Sequence, residues 1–124
     1  MNKTLKFEIV TGFNKGYIHV NEKSEGLDLV GGIWQEIAKK EFELNNIYVS
    51  AVIKPSKTVY HEEWGCPQKG EETIVLTGVA NPEFVDDIEK WKGTVIKLAK
   101  ELKNQLKQNT LTCEFTEIEL HYFK

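Results

Sequence analysis

Leu5, Phe7 and Ile9 alternate with Lys6 and Glu8, a period of two that predicts a strand with one apolar face. Gly12-Phe13-Asn14-Lys15-Gly16 follows as a glycine-bracketed turn, and Tyr17-Ile18-His19-Val20 reads as the short return strand of a hairpin. The period then changes. Val30, Ile33, Trp34, Ile37, Ala38 and Phe42 recur at steps of three and four, which predicts a helix with Lys39, Lys40, Glu41 and Glu43 outside its apolar stripe. Asp28 suits its N-cap, because a carboxylate accepts from the orphan N–H groups of a first turn.

Alternation returns at Ile47, Val49, Ala51 and Ile53. Pro55 interrupts this strand, which predicts an edge position or a bulge. Thr73–Val79 is a β-branched run that predicts the next strand. Asn81-Pro82 reads as a helix start, and Phe84, Ile88, Trp91, Val95, Leu98, Ala99, Leu102 and Leu106 then hold the clearest helical stripe in the chain. Continuous, it would be ~35 Å long. In the last segment Leu111, Cys113 and Phe115 share one parity while Ile118, Leu120 and Tyr122 take the other. A bulge near Thr116-Glu117 would put both sets on one face.

The expected architecture is α+β: an antiparallel sheet with two helices on one face and an extra N-terminal hairpin strand, over a single domain 1–124. The βαββαβ order resembles the ferredoxin-like fold, and the resemblance spans nearly the whole chain. That fold hosts many unrelated functions and implies none by itself. Its uncovered sheet face would carry Val10, Tyr48, Val52, Val75 and Val79, too apolar for a solvated surface, so a homo-oligomer is expected.

Charge narrows the partners. The 124 residues carry a net charge of −3, and all 16 cations are lysine. Neither nucleic acid polymer nor membrane surface is an expected partner. Any anion would be met by lysine or backbone N–H rather than by a guanidinium fork. No apolar signal-peptide core follows Met1–Lys6, so a cytoplasmic location is expected. The 2 cysteines are expected free, with Cys113 buried and Cys66 accessible.

Reactive side chains concentrate in one stretch, Tyr60-His61-Glu62-Glu63-Trp64-Gly65-Cys66-Pro67-Gln68-Lys69-Gly70-Glu71-Glu72. His61 with Glu62, Glu63 or Cys66 would suit proton transfer or covalent chemistry, but such a pair is defined by geometry and not by spacing. A metal site is short of ligands, since zinc wants four and no second close pair exists. No metal or cofactor is expected. Neither His19 nor His121 opens an H-x-[ST] pair, so the two-histidine phosphoesterase pattern fails.

The reading that follows is a non-catalytic binding protein for a small polar or anionic ligand. That ligand could be nucleotide-derived, of the kind a phage sequestering protein would hold. Candidate binding residues are Phe13, Asn14 and Lys15 in the first turn, with Lys57, Tyr60, His61, Trp64 and Lys69 around the reactive stretch. Aromatic faces would stack the ligand and lysines would meet its charge. No catalytic residue is assigned. The alternatives are a small enzyme using His61, and a protein–protein inhibitor acting through the open sheet face.

Overall fold

Phe7 stacks on Trp34 with ring centroids 5.8 Å apart and meets Trp91 at 5.9 Å, so one strand residue joins both helices to the sheet. The computed structural model describes residues 3–14 and 23–124. The elements are β1 (Lys3–Thr11), α1 (Lys23–Asn45), β2 (Val52–Thr58), a 3-10 turn (Glu62–Trp64), β3 (Glu71–Val79), α2 (Ile88–Gln105) and β4 (Thr112–Glu119). The strands lie in the order β2-β3-β1-β4, all antiparallel. With βαββαβ connectivity this is the ferredoxin-like fold. The return strand expected at Tyr17–Val20 lies outside the described residues.

One face of the sheet carries Phe7, Ile9, Ile74 and Leu76 into a core with Val30, Trp34, Ile37 and Ala38 of α1 and Trp91, Val95, Leu98, Ala99 and Leu102 of α2. Full burial of side chains of this size is worth about 1.5–3 kcal/mol each. The Trp34 indole N–H donates to the Val49 carbonyl at 3.0 Å, satisfying the one polar atom this residue brings inside.

Several boundaries differ from expectation. Helix α1 starts before Asp28, which is an exposed interior residue. Gly26 allows this: a Cβ there would fall 2.7 Å from Phe13 Cζ, so the first turn can seat directly on that ring. The stripe of α1 is also rotated: Phe42 is 44% exposed, while Glu41 is buried, holding Lys97 at 2.5 Å and Asn45 at 2.8 Å. Helix α2 starts at Ile88. Asp87 caps it by accepting from Lys90 N–H at 3.1 Å, and Asn81 closes a separate turn that leaves Phe84 exposed.

Pro55 sits in β2 at the sheet edge, as its missing donor requires. Residues 47–51 approach that strand without joining it. No bulge forms in β4. Its register with β1 runs unbroken from Lys3↔Glu119 to Val10↔Thr112, and Ile118 takes the open face opposite Thr4.

Candidate functional site

The reactive stretch is the loop between β2 and β3, and its structure divides the labour among its residues. His61 is the N-cap of the 3-10 turn: its Nδ1 accepts from Glu63 N–H at 3.0 Å, and its ring lies 5.6 Å from that of Trp64. Gly65 ends the turn in the left-handed region at φ 100, and Lys69 (φ 73) and Gly70 (φ 105) reverse the chain into β3. Cys66 is buried rather than accessible. Its Sγ accepts from Tyr60 N–H at 3.5 Å and donates to the Pro67 carbonyl at 3.4 Å, fastening the loop to its own base. Cys113 is only half-buried, and burial, then the neighbouring Glu114, push its thiol pKa up.

A direct pairing of reactive groups lies at the two ends of this loop. The Tyr60 hydroxyl donates to Glu71 Oε1 at 2.8 Å. Thr58 and Glu71 are register partners, so the hairpin itself brings the phenol over the first residue of β3. The hydrogen bond to Glu71 stabilises the neutral phenol. With burial and the charges of Glu71 and Cys66 it pushes the Tyr60 pKa up to about 12. Tyr60 is thus a proton donor held to a carboxylate and stays protonated at neutral pH.

The second carboxylate oxygen meets another loop. A Cβ on Gly12, just past β1, would lie 2.5 Å from Glu71 Oε2 and 2.6 Å from Gln108 Oε1. Gln108, beyond the end of α2, donates from Nε2 to the carbonyls of Asn14 and Leu106, each at 3.0 Å. The end of β1, the start of β3 and the exit of α2 therefore converge on one carboxylate.

Of the residues expected to bind ligand, Tyr60 enters this cluster through its hydroxyl and Asn14 through its backbone carbonyl. Phe13 is buried beneath the first turn of α1. Lys57 pairs with Glu72 at 3.6 Å, Lys69 is exposed, and Trp64 is 77% exposed at the loop tip. Lys15 lies outside the described residues. Glu71, Gly12 and Gln108 were not anticipated. Glu71 lies at the end of the singled-out stretch, but nothing local marks it apart from Glu72 beside it.

Among the described residues no group of three or more His, Cys, Asp or Glu side chains is arranged to hold a metal ion, and no helix is long and apolar enough to cross a membrane. A groove of about 400 Å³ between α1 and α2 is lined by Glu41, Asn45, Lys90, Gly93, Thr94 and Lys97. Its buried carboxylate is already met by Lys97 and Asn45. The Tyr60–Glu71 cluster is the better candidate.

The fold and the cluster define a small ferredoxin-like α+β protein with a buttressed tyrosine–carboxylate pair. The family model described as SAM lyase matches residues 2–124, and the chain belongs to that family. Two solved structures are similar over almost all of it. A phage SAM lyase in complex with S-methyl-5'-thioadenosine has a TM-score of 0.63 and 19% identity, over 98% of this chain and 93% of that one. A phage SAM lyase in the apo state has a TM-score of 0.60 and 14% identity, over 100% and 95%. At these identities the structures speak for the fold. No curated protein matches the chain.

Family membership corrects the reading of a non-catalytic binder, because the family is one of enzymes. The side chains of His61 and Cys66 fold the loop, whereas Tyr60, whose pKa is raised, meets Glu71 across it.

Proposed function

We propose that this chain is a lyase acting on S-adenosylmethionine (SAM), releasing S-methyl-5'-thioadenosine, with Tyr60 and Glu71 at the reacting centre. The observation that carries the reading is the 2.8 Å Tyr60–Glu71 hydrogen bond in a chain of the SAM lyase family.

The chemistry suits a site with few parts. Sulfur in SAM is a sulfonium, so the thioether departs as a neutral leaving group and needs no acid. When the bond from sulfur to the amino-acid side chain breaks, its electron pair goes to sulfur. A lyase adds no water, so the substrate itself must supply the replacing electrons. Either its own carboxylate oxygen closes a ring on the Cγ carbon, or a C–H bond at Cβ gives up its proton and becomes a double bond. A carboxylate such as Glu71 serves the first route by facing the cationic end of the substrate and the second by taking the proton. Tyr60 would hold Oε1 by a hydrogen bond, leaving Oε2 as the oxygen with work to do.

The proposed ligand contacts also include Trp64 and Lys69 on the loop above, where an exposed indole offers a stacking face for adenine. Self-association through the open sheet face remains part of the reading. Val52 is 60% exposed there, beside the half-buried Val10, Val75 and Val79.

Purified protein given SAM should release S-methyl-5'-thioadenosine, detected by mass spectrometry, and Glu71→Gln should stop it. The two four-carbon products are isomers of equal mass, so reactivity separates them: the lactone opens in base, and the alkene shows vinyl protons in NMR. Release of intact SAM with no thioether formed at any enzyme concentration would sink the proposal.

A further inference from the structure

Gln108 has both of its amide N–H groups committed. Nε2 donates to the Asn14 carbonyl and to the Leu106 carbonyl, each at 3.0 Å. An amide has only two such hydrogens, so the flip of this side chain is determined and Oε1 must point away from those carbonyls. It points to the space over Gly12, where Glu71 Oε2 also lies. Two acceptor oxygens thus bound a volume that any side chain on residue 12 would invade.

Glycine is not needed here for its backbone, because Gly12 is not among the residues with positive φ. What its missing Cβ provides is room. The atoms an added methyl would strike, Glu71 Oε2 and Gln108 Oε1, are tips of side chains and not backbone. An alanine at this position would leave the strand in place and displace the carboxylate.

We propose that Gly12 and Gln108 are positioning residues that set where the Glu71 carboxylate lies. Gln108 ties the exit of β1 to the end of α2 and holds its carbonyl oxygen at the same space over Gly12 that Glu71 Oε2 borders. Gly12, lacking a Cβ, leaves that space open. With both in place, Oε1 meets the Tyr60 hydroxyl and Oε2 faces the gap. The consequence for turnover rests on the lyase reading given above; the consequence for Tyr60 does not.

The test uses full-length Gly12→Ala and Gln108→Ala, with Glu71→Gln and Tyr60→Phe as references, and two readouts. The first is tyrosinate absorbance against pH, in which the step that Tyr60→Phe removes reports Tyr60. In both positioning variants it should move from about 12 toward the ordinary value near 10. The second is thioether release from SAM: kcat should fall at least ~10-fold with KM changed less than about twofold, since small displacements of reacting groups carry costs of that order. A folded variant pair with an unmoved tyrosine step overturns the proposal, even if kcat falls. A displaced step with turnover unchanged upholds the positioning and defeats the lyase role of the pair. If Gly12→Ala fails to fold, the argument that only side-chain tips must move is wrong and the proposal falls with it.

Discussion

Tyr60 and Glu71 stand eleven positions apart in sequence and meet at 2.8 Å, with Glu71 in register opposite Thr58 and Cys66 holding the Tyr60 backbone from inside the loop. Such a pair places a neutral donor and a carboxylate acceptor in direct contact across the loop.

Glu71→Gln keeps the shape of this group and removes its charge. If the carboxylate faces the sulfonium end of SAM or takes a proton, kcat should fall by about 100-fold or more, the scale of losing one stabilising group at a reacting centre. Circular dichroism should show the fold retained. Wild-type turnover in Glu71→Gln would move the chemistry elsewhere.

Alkaline unfolding should carry the signature of Tyr60. Its folded pKa of about 12 lies above the unfolded value near 10. The neutral phenol is favoured in the folded state, so this contribution is fully present below pH 10 and is lost as pH rises through about 12. Denaturant unfolding measured from pH 8 to 11.5 should therefore show a steeper alkaline decline in the wild type than in Tyr60→Phe. Parallel curves would contradict the shift.

Trp64 is 77% exposed, so Trp64→Ala should change stability by no more than about 0.5 kcal/mol in thermal unfolding. If its indole stacks the adenine of SAM, KM should rise ~10-fold, since stacking on an aromatic is worth ~1–3 kcal/mol and 1.4 kcal/mol is tenfold. A large loss of stability would instead make the residue structural.

Light scattering at micromolar concentration should return a mass above the 14.3 kDa of one chain. Val75→Lys, which puts a charge in the middle of the open sheet face, should shift it toward one chain. A monomeric wild type would refute association through that face.

Much of the fold was legible because its strands and helices each repeat an apolar period that the core enforces. Phe7 and Ile9, and Trp91 through Leu102, sit where their spacing puts them. Helix ends were less legible. Gly26 looks like a loop residue until Phe13 is seen beneath it, and Glu41 looks solvated until Lys97 is seen to meet it. The second apolar set of β4 invited a bulge because both sets were assumed to share one face; Ile118 stays on the open side. At the candidate site Tyr60 was legible as an aromatic on a reactive loop. Glu71 and Gln108 were not, since their meeting depends on three chain segments distant from one another.

The sheet's two margins have a consequence for growth by strand addition. Pro55 lies in β2 with its register to β3 intact, so its absent N–H falls on the free border. The opposite border, β4, carries Glu114, Glu117 and Glu119. One margin lacks a donor midway and the other repels an approaching copy of itself, which are two recognised ways of blocking fibril-like polymerisation. Copies of this chain are thereby steered away from open-ended ribbons, even at high concentration.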